Sequence, residues 1–231
     1  MEKIRILCYG DSNTWGANPK NKNGRYGEGE RYTSILQNML GENYHVINEG
    51  LGSRTLDCDD IKPPKGNRNG LLFFAPCVMT HDPIDYLVLF LGSNELKEKF
   101  NKSTDDIAHT LEEKYIKFLQ NDLSKELLKQ PKIILIAPGV ISKDCFLNTG
   151  GAYEKSLKFN ECYKKVAENT GCYFVDNSGI LPGEDGLHLA KDSHKYIANK
   201  LCQIITHGKK ENLWNILLFP TFTDHFITQK F

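Results

Sequence analysis

Ser12 stands in the stretch "CYGDSNTWG", Cys8 to Gly16, directly after the apolar run "IRIL". A serine on the turn that leaves a buried strand projects its hydroxyl above the sheet edge, and its own N–H points into the same space if a helix begins there. That hydroxyl is a poor nucleophile near neutral pH unless a neutral imidazole accepts its proton. The imidazole in turn needs a carboxylate to fix its tautomer and stabilise its cation. The stretch "GEDGLHLA" offers both groups on one short loop, with Asp185 three residues before His188. Each stretch also has a plainer reading: Asp-Ser-Asn is good helix-capping chemistry, and a histidine at a helix start is commonly an ordinary polar surface residue.

Nucleophilic attack on an acyl carbonyl builds negative charge on its oxygen, and donors fixed in place stabilise that charge; losing one typically costs about 10²–10³ in rate. Two further stretches offer such donors. In "NEGLGSRT", Gly50, Gly52 and Ser53 can form a tight turn that exposes a backbone N–H, and in "LGSNE" the Asn94 side chain carries two N–H groups. The Ser12 N–H, the Ser53 N–H and the Asn94 amide therefore make a candidate oxyanion hole, although turns use Gly, Ser and Asn for their own reasons. Asp11 reads as a brace that accepts hydrogen bonds from its own turn. Trp15 and Tyr32 are candidates for the pocket wall, and Glu95 is a candidate support beside Asn94.

These residues need a scaffold that brings distant loops to one edge. Strand-length apolar runs recur as "KIRILCYG", "YHVINEG", "DYLVLFLG", "KIILIAPG" and "CYFVDN", each ended by Gly or Asn. Continuous apolar character without alternation suits parallel strands buried on both faces. Helical periodicity lies between or after them, at about 31–40, 69–80, 104–129, 153–169 and 190–207. The alternation predicts βαβ units with right-handed crossovers, hence a three-layer α/β/α sandwich around a five-stranded parallel sheet. Irregular stretches at 17–30, 51–68 and 140–151 follow strands, so the site is expected at the carboxyl edge of the sheet. The expected domain covers 1–207. The tail 208–231 adds Trp214, Leu217, Leu218, Phe219, Phe222 and Phe226 after the last expected helix, and its role stays open between covering an apolar surface, meeting a neighbouring subunit and being poorly ordered.

Composition removes several other classes. Lys plus Arg equals Asp plus Glu at 29 each, so no global field draws in nucleic acid or an anionic membrane surface. The start "MEKIRILCYG" reads as a first strand and not as a signal peptide, and no apolar run approaches the roughly 20 residues of a membrane helix. A cytoplasmic protein without membrane insertion is expected. The seven cysteines are odd in number and lack a C-x-x-C pair, which argues for reduced thiols and against a disulfide framework or a structural zinc site. The histidines form no H-x-x-x-H or H-E-x-x-H pattern, so no metal is expected. The turn at Ser12 is not a G-x-x-x-x-G-K-[ST] loop. A flavodoxin-like module that holds phosphate there remains the non-enzymatic alternative, but it leaves Asp185, His188 and Asn94 without work.

Taken together, "GDSN" at 10–13, "GLGSRT" at 50–55, "GSNE" at 92–95 and "DGLH" at 185–188 resemble, in order, the blocks of the SGNH hydrolases, also called the GDSL esterase and lipase family. The resemblance runs from about Ile4 to His207. It is closest to the small arylesterase and acyltransferase branch, through "ILCYGDSNTWG", "GERYTSIL", "INEGLGSRTLDCDD", "NGLLFFAPCVMTHDPIDYLVLFLGSNELK" and "DGLHLA". It implies Ser12 as nucleophile, His188 as base, Asp185 as its orienter, and Ser12, Ser53 and Asn94 as oxyanion donors. It also implies a flavodoxin-like sheet, no metal or organic cofactor, and a small-molecule ester as substrate. A homo-oligomer is expected from the relatives and the apolar tail. Three positions depart from the usual pattern. Asn13 replaces a common Leu, Ser53 stands where Gly is frequent, and Glu95 replaces the usual Asp after Asn94. The expected activity is hydrolysis of short acyl esters, with transfer to alcohols a matter of degree. A carbohydrate O-deacetylase is the nearest rival, with Asp57, Asp59 and Asp60 placed to contact sugar hydroxyls.

Overall fold

The computed structural model describes residues 2–21 and 24–207; the apolar tail lies outside the described residues. Five parallel strands form one sheet in the order β2-β1-β3-β4-β5: β1 is Ile4–Gly10, β2 Tyr44–Gly50, β3 Tyr86–Phe90, β4 Lys132–Ile136 and β5 Tyr173–Val175. This is the flavodoxin-like order, whose direction reverses beside β1 and opens a crevice at the carboxyl ends of β1 and β3.

Alternate side chains of the central strands feed two cores. Leu7, Tyr9, Leu87, Leu89, Ile133 and Leu135 pack on one face, and Ile6, Cys8, Val88, Phe90, Ile134 and Ile136 on the other. The first face is covered by α3 (Leu71–His81), α4 (Thr104–Leu111) and α7 (Phe159–Thr170); the second is covered by α2 (Tyr32–Leu40) and α8 (Lys191–His207). The short α1 (Ser12–Trp15) follows β1 directly, while α5 (Phe118–Asn121) and α6 (Ala152–Ser156) are single turns in longer connections. Edge strand β2 is only partly buried, which departs from the expectation of two covered faces. Among the described residues no helix is long and apolar enough to cross a membrane.

Two expected helices are interrupted. The stretch 104–129 begins as α4, capped by a reciprocal Ser103–Asp106 box, passes through a π-helical turn at Glu112–Lys117 into α5, and ends in a 3₁₀ turn at Leu123–Glu126. The wider turn coincides with buried Tyr115, whose hydroxyl donates to Leu56 O at 2.6 Å and so reaches the loop after β2. The stretch 153–169 is divided between α6 and α7 at Leu157 and Lys158.

Candidate active site

Gly10 ends β1 where no side chain fits: a Cβ there would lie 2.0 Å from Thr14 Oγ1 and 2.8 Å from Phe90 O. Its absence lets the chain turn at once into α1. Asp11 caps that turn, accepting from Asn13 N at 2.9 Å, and Gly16 closes it in the left-handed region at φ 92°. Gly50, at the end of β2, permits a second close approach, since a Cβ there would lie 2.1 Å from Trp15 N. Ser12 is therefore held at the crevice by two glycines from neighbouring strands.

The loop before α8 brings His188 to it. His188 Nε2 lies 3.0 Å from Ser12 Oγ, and Nδ1 lies 2.5 Å from Asp185 Oδ2. The other carboxylate oxygen, Oδ1, accepts from Leu187 N at 3.0 Å and His188 N at 2.9 Å. Burial opposes charge on Asp185, but the hydrogen bonds from the His188 ring and the two backbone N–H groups outweigh it and hold the carboxyl below its usual range. An anionic Asp185 fixes the proton on Nδ1 and leaves Nε2 free to accept from Ser12. The loop is itself tied down: Ser142 N donates to Gly186 O at 2.8 Å and Gly183 N to His188 O at 2.6 Å.

The Asn94 amide is tied to the residues that flank the other two expected oxyanion donors. Asn94 Nδ2 donates to Arg54 O at 3.0 Å, the residue after Ser53, and stands 3.5 Å from Asp11 Oδ2, the residue before Ser12. One amide hydrogen is thus spent on positioning, while the long second contact leaves the other available to a bound oxygen. Ser53 takes φ 65°, a conformation that costs a non-glycine residue free energy and accounts for Gly being frequent at this position.

The supports are more extensive than the sequence indicates. Arg54, 5% exposed, donates to Gly10 O at 2.9 Å and to Glu49 O, and its guanidinium lies 4.0 Å from the Tyr9 ring centroid. It joins the ends of β1 and β2 to the Ser53 turn. Glu95 is buried and accepts from Leu56 N at 2.5 Å, so the longer side chain does brace the loop after β2. Burial pushes its carboxyl up to about 8, against the Leu56 hydrogen bond, and burial likewise raises Asp11 to about 6, offset by Asn13 N, His188 and Arg54. Asn13, which stands where Leu is common, also has a structural role: its Oδ1 accepts from Leu189 N at 3.1 Å, next to His188. Only the folded path of the 182–189 loop reveals that contact.

One expectation is corrected. Tyr32 is 0% exposed and belongs to the core, where its hydroxyl lies 3.0 Å from Thr14 Oγ1; it steadies α1 and lines no open pocket. Asp57, Asp59 and Asp60 are occupied within the protein. Lys114 lies 2.7 Å from Asp57, Lys97 and Lys99 lie 2.8 and 2.6 Å from Asp60, and Asn67 and Asn69 donate to Asp59. These contacts hold the 51–70 loop closed, while Asp59 stays exposed and receives both amides on Oδ1. Trp15 is partly buried beside Ser12, with the Arg25 guanidinium 5.1 Å from its ring centroid.

The family model described as GDSL-like Lipase/Acylhydrolase family matches residues 8–197. A carbohydrate acetylesterase family member from Sinorhizobium meliloti is similar at 28% identity and TM-score 0.79, over 88% of this chain and 98% of that one. The native aryl esterase of M. smegmatis is similar at 26% identity and TM-score 0.77, over 88% and 99%. A putative arylesterase from Agrobacterium tumefaciens str. C58 is similar at 26% identity and TM-score 0.79, over the same shares. No curated protein matches the chain.

Proposed function

The chain belongs to the GDSL-like lipase/acylhydrolase family, and from that premise we propose that it is a serine esterase that cleaves short-chain, acetyl-type carboxylic esters through an acyl-enzyme. The carrying observation is the continuous relay Asp185–His188–Ser12, with contacts of 2.5 and 3.0 Å. His188 takes the Ser12 proton as Oγ attacks the ester carbonyl. The oxyanion forms against the Ser12 N–H, the Ser53 N–H and the free hydrogen of the Asn94 amide. His188 then returns the proton to the leaving alcohol, and water or a second alcohol, activated by the same imidazole, releases the acyl group.

The deciding experiment compares p-nitrophenyl acetate hydrolysis by the wild type and Ser12→Ala, with thiols blocked in both. The expected loss is roughly 10³-fold or more. Equal rates would refute the serine mechanism and move the phosphate-binding module to first place.

A second reading, deacetylation of carbohydrate esters, draws on the carbohydrate acetylesterases among the similar structures. Asp57 and Asp60 are engaged by lysines within the protein, which leaves exposed Asp59 as the loop carboxylate open to a sugar. Acetate release from acetylated sugars, measured against release from phenyl acetate, separates the readings; the aryl ester is expected to be the better substrate.

A further inference from the structure

Where β2 meets α3, three ligand-type side chains that the relay does not use come together. Glu49 is the penultimate residue of β2, and Cys77 and His81 stand one helical turn apart on α3, a spacing that puts both on the same helix face. Glu49 Oε1 lies 2.9 Å from His81 Nε2. With Cys77, one candidate ligand atom from each of the three residues lies within 4.8 Å of the others. The His81 and Glu49 side chains are 23% and 34% exposed, so the cluster is held by packing yet open to an ion from solvent.

Thiolate sulfur, imidazole nitrogen and carboxylate oxygen are together the donor set of a borderline-soft divalent ion with tetrahedral preference. We infer that Glu49, Cys77 and His81 form a zinc-type metal site with water as the fourth ligand. Tetrahedral zinc sets such ligand atoms roughly 3.2–3.7 Å apart, so closing on the ion needs side-chain movements of modest size. On binding, the Cys77 thiol releases its proton to solvent, His81 ligates through Nε2 with its proton on Nδ1, and Glu49 exchanges its contact with His81 for one to the metal. Arg54, which bonds the Glu49 carbonyl and acts electrostatically on Cys77, opposes the cation, but two anionic ligands outweigh one guanidinium.

The ion would clamp β2 to α3, the two elements that bracket the 51–70 loop carrying Ser53. Its effect is therefore structural, a rise in Tm, and it takes no part in the relay. Histidine spacing could not reveal the site, because one ligand comes from a strand that only the fold brings beside the helix.

The test is a Co²⁺ titration of the full chain after chelator treatment, with Co²⁺ as the spectroscopic stand-in for Zn²⁺. Expected are visible d–d bands of tetrahedral intensity together with a near-ultraviolet thiolate-to-cobalt band, displacement of both by Zn²⁺, and a higher Tm with Zn²⁺. Cys77→Ser should abolish the thiolate band while circular dichroism and esterase activity report an intact fold. His81→Asn, made in parallel, should weaken cobalt binding by roughly tenfold or more. A wild type without the thiolate band, a band that survives Cys77→Ser because another of the seven cysteines supplies it, or unchanged affinity in His81→Asn would each overturn the inference.

Discussion

The side-chain oxygen of Asn13 accepts from Leu189 N at 3.1 Å, so the turn that carries Ser12, the proposed nucleophile, grips the backbone beside His188, the proposed base. Asn13→Leu keeps the branched shape in a somewhat larger side chain but leaves Leu189 N without its acceptor, at a cost of about 1–3 kcal/mol. It also frees His188 to drift, and a misplacement near 1 Å can cost about 10² in rate. The expected outcome is a lower Tm and a fall in kcat of roughly tenfold to a hundredfold with KM little changed, read from steady-state kinetics with p-nitrophenyl acetate. Ser53 poses the opposite case. At φ 65° a glycine would relieve left-handed strain of about 1–2 kcal/mol while adding about 0.5–1 kcal/mol of unfolded-state entropy. Ser53→Gly should raise stability by a net of about 0.5–1 kcal/mol and leave kcat near wild type, because the proposed donor is the backbone N–H. A large loss of kcat would assign work to the hydroxyl.

At the scale of elements, the site is a meeting of strand ends, and Arg54 joins them. Its bonds to Gly10 O and Glu49 O tie β1 to β2, and its own carbonyl holds Asn94 beyond β3. Arg54→Met keeps much of the packing over Tyr9 but leaves two carbonyls without their donor, so a loss of about 2–4 kcal/mol in urea unfolding is expected, accompanied by a fall in kcat; Arg54→Lys should recover part of both. The strands were legible because buried parallel strands are continuous apolar runs, and the relay was legible because Ser12, Asn94 and His188 each follow a recognisable run or precede a periodic helix. What could not be read depends on loop conformation. The π-helical turn under Tyr115, the lysine pairs on Asp57 and Asp60, and the bond from Leu189 N to Asn13 all join residues far apart in the chain. Tyr32 was misplaced for a related reason: an aromatic at the start of a helix faces core or pocket according to how that helix packs, and here α2 packs on α8 and turns the ring inward.

For the molecule as a whole, buried titratable groups set opposing limits on stability with pH. His194 is fully buried between Tyr26 and Tyr32, accepts from Tyr32 N at 3.2 Å, and is pushed down to about 4 by burial and by Arg31. Between its ordinary value near 6.5 and about 4, the unfolded chain binds a proton that the folded chain refuses, so stability falls as pH falls through that range. Glu95 and Asp11 act with the other sign. Burial raises them to about 8 and about 6, so from about pH 4 upward the folded chain keeps protons that the unfolded chain has released, and stability falls as pH rises. The two slopes oppose each other below about 6.5. Above that, His194 is neutral in both states and Asp11 is largely ionised in both, which leaves Glu95 as the buried carboxyl still titrating up to about 8. Urea unfolding at pH 6.5 and pH 7.5, below the range in which the thiols of the unfolded chain ionise, should therefore show the wild type losing stability with rising pH. Glu95→Gln cannot ionise and can still accept from Leu56 N, so its stability should be nearly the same at both values even if its absolute level is lower. A decline that persists in Glu95→Gln would mean that Glu95 is already ionised in the native protein at pH 6.5, and the brace on the 51–70 loop would then be a buried anion instead of a neutral acid.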